Sequence, residues 1–482
     1  MGRLLKVAVV VIVAAGLLAV GGSYATGFFF RGGFQSHVEQ ASLQWQMHSG
    51  GKASIRLERY ELGIFGATAQ TRVMMGPTAS ILINHKIRYG LGTGFTSYGK
   101  VRTEVELPQE ISGMARILFG SDLFGGRAPL AVDSVIGWTG DMRHRIESPG
   151  FTGKAKGVMD IAWGGIDGEI SIGPGRRSVA WRLELPGFSM ANNKNRIEIG
   201  RLHTKGDTAR AEAHLFWIGQ AELGIDKLVI QIKDKLEKTK RDLLPHVELE
   251  NLKLSSDTRE NSGSVDSTVT FSLDRAVAAD DTLDAAQWTL AVENLDADAL
   301  DAFLKIVETF RQGDNEVTPQ VLADALKQEP ALTAAFLRRK PVIALKDGGV
   351  RLKQGDFRLN ARLSYAGDNP EQFDPERDLL IEANSDISRA LLAHLISGKV
   401  SSQMENNDTP LDGAQTEEMG RTFIAQLVDL QIAEWVNKGF LIEKDGLLTT
   451  TLRIQNKTRT LNGKAWNEDD LFSAQMPSAP PP

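Results

Sequence analysis

The sequence of 482 residues contains no cysteine, and this absence excludes disulfide bonds, thiolate metal sites and cysteine nucleophiles. Its histidines never show the zinc-binding spacing H-x-x-x-H, and neither the serine elbow G-x-S-x-G nor the phosphate loop G-x-x-x-x-G-K-S/T occurs. We therefore expect a protein that is not an enzyme and that carries no metal and no cofactor.

A strong excess of positive charge is also lacking, since the net charge is −6, and this argues against nucleic acid as a partner. Hydrophobic residues make up 42% of the chain, which is too many for a disordered protein. The 17 prolines and 47 glycines are too few for a fibrous or low-complexity chain. The length suffices for about three folding units.

One long hydrophobic run is present, and it comes at the start of the chain. Residues Val7 to Phe30 include no charged side chain, and about 20 helical residues cross the hydrocarbon core of a bilayer. Arg3 and Lys6 precede the run, so the positive-inside rule places the N-terminus in the cytoplasm. This pattern predicts a single membrane anchor through residues 7–30, with the bulk of the chain exported.

A cleaved signal peptide is the alternative interpretation, because Ser23-Tyr24-Ala25 has small residues at the positions that a signal peptidase reads. The hydrophobic run continues past this triplet, which favours the anchor. Small residues at four-residue spacing also allow two anchors to approach closely and form a homodimer. These residues are Ala15, Ala19, Ser23 and Gly27.

From about residue 53 to 290 the sequence has the period-two alternation of half-buried strands. Residues 178–185 place Trp181 and Leu183 on an apolar face, and we predict another strand over 208–217, with Leu215 and Trp217 on its apolar face. Short polar turns separate these strands. Closely spaced strands with such turns are typical of an antiparallel meander.

Beyond residue 293 the apolar spacing becomes helical. Asp296 is a good N-cap for a helix that contains Leu300 and Phe303, because its carboxylate accepts amide protons of the first turn. The polar segment 398–414 is predicted to be a mobile loop. Further helices are predicted over 318–328, 331–339, 386–397 and 415–437.

The predicted fold class is α+β, with a predominantly antiparallel β meander, a helical subregion and one N-terminal transmembrane helix. Five segments are expected along the chain. They are 1–30 as cytoplasmic tip and anchor, 31–293 as a β-rich periplasmic region, 294–400 as a helical subregion with returning strands, 401–474 as a helix with C-terminal strands, and 475–482 as a Pro-rich tail.

Because so many strands have one apolar face and the predicted helices are few, part of the sheet is expected to stay uncovered. An uncovered apolar face usually marks a binding site. We therefore predict an apolar groove that holds a lipid-like ligand, lined by Trp181, Leu183, Leu215 and Trp217. The alternative is a closed core between two sheets, without a cavity.

Three segments carry a family resemblance: Gly22–Gly27 at the end of the hydrophobic run, Tyr60–Ala69 in the β-rich region, and Leu461-Asn462-Gly463 near the C-terminus. Together they resemble the YdgA-like family of bacterial envelope proteins, a domain of unknown function. The resemblance implies a protein anchored in the inner membrane, with its bulk in the periplasm. It implies no reaction.

The motif residues of this family are interpreted as structural. They are Tyr60, Gly63, Phe65, Asn462 and Gly463. Glycines inside a strand indicate a bulge or the close approach of another backbone. Two functions follow as hypotheses: an anchored envelope protein that binds a lipid-like ligand, or an envelope structural or assembly factor that acts through protein contacts.

Overall fold

The computed structural model describes residues 26, 29–43, 45–47, 49–76, 79–94, 96–106, 124–155, 159–192, 195–232, 246–278, 281–312, 318, 320–321, 326, 328–405 and 414–466. The predicted anchor 7–30 therefore lies mostly outside the described residues, as do most of the predicted helix 318–328 and the tail. Among the described residues, no helix combines the length and the apolar character needed to cross a membrane.

The chain divides into two compact units. Unit 1 comprises Met1–Ala209 and Leu223–His246, and unit 2 comprises Arg210–Glu222 and Val247–Pro482. The predicted segment boundary at residue 293 falls within unit 2, at the end of a long strand. Every strand pair described below is antiparallel, which confirms the prediction of a predominantly antiparallel β protein with a few helices.

The described part of unit 1 includes a helical segment over residues 29–43 and 45–47, and strands follow it. The strands are β1 Ala53–Leu62, β2 Gly66–Met75, β3 Ala79–Tyr89, β4 Gly99–Glu106, β5 Ala131–Ile136, β6 Met142–Ser148, β7 Phe151–Ala155, β8 Met159–Trp163, β9 Ile166–Ile172, β10 Ser178–Leu185, β11 Phe188–Ala191, β12 Asn195–Ile199, β13 Leu202–Arg210 and β14 Trp217–Ile232, of which the last enters unit 1 at Leu223.

The strands of unit 1 pair in two runs. Strands β1 to β6 pair in sequence order, and the run continues through β9 and β10 to β13. The second run has the order β7, β8, β11, β12, β14. The chain therefore leaves the first run and returns to it twice, through two inserted hairpins.

Glycines mark the points where the chain passes between the two runs. The Gly164 amide donates to the Gly187 carbonyl at 2.7 Å, and the Gly200 amide donates to the Lys227 carbonyl at 2.7 Å. A Cβ atom added at Gly164 would lie 2.9 Å from the backbone of Gly187. Close backbone approach at these crossings excludes side chains, which is why glycine occupies them.

The described core of unit 1 lies on one face of β2, β3 and β4. Phe30 and Phe34 of the helical segment pack there against Ile87 and Tyr89. Tyr89 is fully buried, and Phe30 is 8% exposed. The helical segment therefore covers the apolar face of these strands with aromatic rings.

The described part of unit 2 contains a sheet and four longer helices. Its strands are β15 His246–Asn261, whose first residue belongs to unit 1, β16 Ser264–Leu273, β17 Arg275–Ala278, β18 Asp281–Asp296, β19 Val342–Leu352, β20 Gly355–Tyr365, β21 Leu379–Ser388, β22 Ile442–Lys444, β23 Leu447–Gln455, β24 Thr458–Leu461 and β25 Lys464–Ala465. Its helices are α1 Ala297–Gln312, α2 Pro330–Arg338, α3 Arg389–Glu405 and α4 Ala414–Lys438.

The main sheet of unit 2 has the order β15, β16, β18, β19, β20, β21, β23, β24, β25. Strands β17 and β22 add to its margins, on β15 and β23 respectively. Helices α3 and α4 bury Val428, Ile432 and Leu448 against one face of β21 and β23. Part of the same face continues toward α1 and α2.

Several predicted boundaries match the structure. Asp296 caps α1, because its Oδ1 accepts the Ala299 amide at 3.0 Å. Arg339 donates to the other carboxylate oxygen at 2.9 Å. Burial alone would raise the pKa of Asp296, but these hydrogen bonds and the guanidinium charge hold it below its usual value. Pro330 begins α2, where its missing amide proton does no harm.

Two of the predictions about secondary structure are wrong, those for 208–217 and for 398–414. Residues 208–217 are not one strand, because β13 ends at Arg210 and β14 begins at Trp217. A turn lies between them, closed by a bond from the Ala211 amide to the Phe216 carbonyl at 3.2 Å. Residues 398–405 of the predicted mobile loop 398–414 are helical and extend α3, whereas 406–413 lie outside the described residues.

Candidate functional site

An apolar cavity of about 420 Å³ lies in unit 2 between α1, α2 and the sheet. Its floor consists of side chains from four adjacent strands, β18, β19, β20 and β21: Leu295, Ile343, Leu363 and Leu379. Its roof includes Leu300 and Phe303 of α1 together with Phe336 and Leu337 of α2. The remaining lining residues are Leu326, Thr333, Pro341, Ser364 and Tyr365.

The strand register explains how these side chains meet. Ile343 pairs directly with Leu363, and Tyr365 pairs with Leu379. Because alternate residues of a strand share a face, Leu363 and Tyr365 lie on the same side of β20. The floor of the cavity is therefore one apolar face of the sheet.

Polar contacts near the start of α1 and at the end of α2 hold the roof in place. Asp296 lies at the start of α1, and Arg339 follows the last residue of α2, so their ion pair joins the two helices. Asp301 of α1 accepts the Leu215 amide at 2.6 Å and pairs with Lys305 at 2.9 Å. Phe303 and Phe336 meet edge to face across the helices, with ring centroids 6.0 Å apart.

The cavity opens onto an exposed part of the same sheet face. Ile343 lines the cavity and is 45% exposed, and Leu290 is 46% exposed. Val292 pairs with Ile343, and Leu290 pairs with Val269, so these side chains share a face. An apolar strip therefore leads from the cavity across β18 to β16.

Tyr365 is the polar residue with the most unusual environment in the cavity wall. It is 5% exposed, its ring packs on Phe373 at 6.1 Å, and its hydroxyl has no hydrogen-bond partner among the described residues. Burial raises the pKa of Tyr365, and the nearby carboxylates Asp378 and Asp368 raise it further. The tyrosine therefore stays neutral at physiological pH, as an apolar wall requires.

The four residues predicted to line a groove lie elsewhere. Trp181 and Leu183 belong to β10 in unit 1, where the Trp181 ring covers Gly206 and its Nε1 donates to Thr204 at 3.1 Å. Leu215 lies in the turn before β14, and Trp217 is the first residue of β14; both belong to unit 2. None of the four lines the cavity.

A groove formed by those four residues stays a prediction. Sequence reasoning placed Leu300 and Phe303 on a helix but did not recognise them as cavity residues. The only signal in the sequence was their helical spacing, which identifies the apolar face of α1. Such spacing does not show whether side chains of the sheet fill the space beneath that face.

The tyrosine–glycine motif of unit 1 forms a hairpin rather than the single strand that we expected. Strand β1 ends at Leu62 and β2 begins at Gly66, and the Gly63 amide donates to the Gly66 carbonyl at 2.8 Å. The Tyr89 hydroxyl donates to the carbonyls of Gly63 and Gly66, at 2.5 and 2.9 Å. A Cβ atom added at Gly63 would lie 2.9 Å from the Gly66 carbonyl oxygen, and Phe65 lies at the hairpin tip with 45% exposure.

The asparagine–glycine motif of unit 2 joins a hairpin to the end of α4. Asn462 and Gly463 both have positive φ between β24 and β25. The Asn462 side chain accepts from the Thr451 amide at 2.8 Å and donates to the carbonyls of Gly439 and Phe440, each at 3.0 Å. This side chain fixes the chain that leaves α4 against β23.

Among the residues that the structure describes, no group of three or more histidine, aspartate or glutamate side chains is arranged to hold a metal ion. Burial lowers the pKa of the His85 imidazole to about 4. Its two ring nitrogens contact Thr71 at 2.9 Å and Thr103 at 3.0 Å across β2, β3 and β4.

The fold is that of a predominantly antiparallel β protein with a few helices, and comparison with known proteins identifies the family. Residues 1–469 match the family described as a bacterial protein of unknown function, DUF945, and the chain belongs to this family. It is 22% identical to Protein YdgA of Escherichia coli (strain K12) over 508 residues, covering 96% of this chain and 95% of the relative. The resemblance to the YdgA-like family is thus confirmed. No solved structure matches the chain.

Proposed function

We propose that this protein is a non-enzymatic envelope protein, anchored in the bacterial inner membrane by residues 7–30, that binds a lipid-like ligand in the apolar cavity of unit 2. The bulk of the chain lies in the periplasm in this proposal. The cavity supports it most directly, because a space of about 420 Å³ with apolar walls is suited to part of an acyl chain or a similar apolar group.

The exposed strip beside the cavity supports the same function. Leu290 and Ile343 are nearly half exposed on a sheet face whose neighbouring parts are covered by helices. Exposed apolar area forfeits roughly 25 cal/mol per Å² relative to burial. A ligand that extends from the cavity over these side chains recovers this free energy, which gives a long apolar molecule an advantage over a small one.

Native mass spectrometry of the intact, full-length protein tests the proposal. We expect wild-type protein to carry a lipid-like molecule. The fraction of protein that carries it should be about tenfold lower in Ile343→Arg, because a charge at the cavity mouth opposes binding of an apolar ligand. Ile442→Arg is the matched control, since Ile442 is 50% exposed and lies in β22 away from the lining residues. Equal occupancy in both variants, or an empty wild type, would overturn the proposal.

The alternative function is an envelope structural or assembly factor. The observation in its favour is that Leu395 of α3 and Leu430 of α4 are 52% and 67% exposed on helices that contact each other. Crosslinking in cells separates the two functions. Loss of a specific crosslinked protein in Leu430→Arg, with ligand occupancy unchanged, would favour assembly through protein contacts.

A further inference from the structure

We propose that an exposed apolar patch around Phe30 in unit 1 inserts into the periplasmic interface of the bilayer that holds the anchor. The patch consists of Phe29, Ile64, Phe65, Leu91 and Trp138. The inference rests on the membrane anchoring in the proposed function and is independent of the ligand cavity in unit 2.

Phe30 forms the centre of this patch. Its ring packs against Tyr89 and Tyr98, with centroid distances of 6.3 and 6.0 Å. A Cβ atom added at Gly99 would lie 2.4 Å from the Phe30 ring, so the ring rests directly on β4. Phe30 is thereby fixed to the end of β3 and the start of β4.

The patch residues surround this contact. Phe29 is the neighbour of Phe30 and is 77% exposed, and Trp138 is 59% exposed with its ring edge-on to Tyr98 at 5.9 Å. Ile64 and Phe65 form the β1–β2 hairpin tip and are 48% and 45% exposed.

Two contacts tie the hairpin tip to the same place. The Tyr89 hydroxyl donates to the Gly63 carbonyl, next to Ile64. A Cβ atom on Gly92, the neighbour of Leu91, would meet the Phe65 carbonyl at 2.0 Å. All five patch residues therefore lie next to the Phe30 contact or to residues that touch it.

The bilayer is the occupant that the chain itself indicates. The uncharged run Val7–Phe30 ends at the centre of the patch, so a run that crosses the hydrocarbon brings these side chains to its outer boundary. Aromatic side chains are enriched at this interface, because their rings favour the level of the headgroups. Arg31 follows the run directly, with its guanidinium carbon 5.7 Å from the centre of the Tyr60 ring, where it can meet lipid phosphates.

The absence of cysteine makes a direct test feasible. The full-length Ile64→Cys variant is labelled with a fluorophore at its single cysteine. The labelled protein is then reconstituted into vesicles whose lipid acyl chains carry a nitroxide quencher. Ile442→Cys is the matched control, because the two isoleucines are 48% and 50% exposed. We expect the quencher to remove about half of the fluorescence at position 64 and about a tenth or less at position 442.

The possible failures can be told apart. Equal quenching at both positions, in protein that floats with the vesicles, would overturn insertion of the patch while the anchor stands. Protein that does not float would overturn both the anchor and the patch. Ligand occupancy in native mass spectrometry is unaffected by either result, so the cavity proposal is judged separately.

Discussion

The two units present apolar sheet faces that are covered in different ways. In unit 1, aromatic rings of the helical segment over residues 29–43 rest directly on β3 and β4 and leave Tyr89 without solvent exposure. In unit 2, α1 and α2 bridge the sheet and leave a cavity of about 420 Å³ beneath them. An apolar sheet face can therefore become either a packed core or a binding site. The outcome depends on whether the covering side chains have enough volume to fill the space above the sheet.

The largest expected effect contrasts one phenylalanine from each unit. Phe30→Ala should destabilise β3 and β4 by about 3 to 5 kcal/mol, because a fully packed ring leaves a new cavity. Phe303→Ala should cost about 1 to 2 kcal/mol in unit 2, because this ring is half-buried beside space that is already empty. Hydrogen exchange of the strand amides in the full-length protein measures both values. Equal losses would mean that the unit 2 cavity is packed when the protein is folded in solution.

Acidification should also distinguish the units, through His85. Burial lowers the pKa of this histidine from 6.5 to about 4, so between these pH values the unfolded chain binds a proton that the folded chain does not. The contribution of neutral His85 to the free energy of unfolding is fully present above pH 6.5 and is lost as the pH falls toward 4. The loss amounts to at most about 3 kcal/mol. Burial also lowers the pKa of His144 in unit 1, which acts in the same direction.

Hydrogen exchange of β2 to β4 at pH 7 and at about pH 4.5 checks this expectation. The His85→Gln variant should be less stable at pH 7 but should lose most of the pH dependence. In unit 2, the pKa of Asp378 is lowered by its hydrogen bond from Arg377, so its contribution is lost only as the pH falls below about 4. A loss in unit 2 within the higher window would contradict the assignment to His85.

How far the sequence predicts these differences follows from the physical range of each signal. Local patterns predicted the cap at Asp296, the helix beginning near Pro330 and the antiparallel strands, because capping and alternation depend on neighbouring residues. The strand predicted over 208–217 was wrong, because its alternating residues 209, 211 and 213 are alanines, which are weak strand formers. The cavity depends on the distance between helices α1 and α2 and the four strands beneath them. No local sequence pattern predicts this distance.

A smaller effect is expected at Asn462, where a family motif residue joins β23 to the end of α4. Asn462→Ala removes three side-chain hydrogen bonds and should cost about 1 to 3 kcal/mol in this part of unit 2. Asn456→Ala is the matched control for backbone strain, because Asn456 has φ of 49° and Asn462 has φ of 50°. Urea denaturation of each full-length variant gives the comparison. Equal losses would assign the motif to backbone conformation rather than to hydrogen bonding.

The smallest effect is expected at Tyr60, the tyrosine of the unit 1 motif. Its buried hydroxyl has no hydrogen-bond partner among the described residues, and burial, with a smaller contribution from Tyr89, raises its pKa to about 12. Tyr60→Phe removes a buried polar atom without breaking a described hydrogen bond, so the free energy of unfolding should change by about 0 to 1 kcal/mol in either direction.

Tyr89→Phe is the opposite case, because the Tyr89 hydroxyl donates to the carbonyls of Gly63 and Gly66. Loss of this hydroxyl should lower the free energy of unfolding by about 1 to 3 kcal/mol.

Hydrogen exchange of the β1 to β3 amides in the two variants shows which tyrosine hydroxyl contributes more to stability. If Tyr60→Phe is as damaging as Tyr89→Phe, the Tyr60 hydroxyl has a bonding partner in solution, and the motif is held by both tyrosines. If only Tyr89→Phe is damaging, the hairpin depends on Tyr89 for its hydrogen bonds, and Tyr60 contributes mainly its ring, which Phe34 and Arg31 contact. The second outcome is expected, because the aromatic packing that covers unit 1 needs the ring and not the hydroxyl.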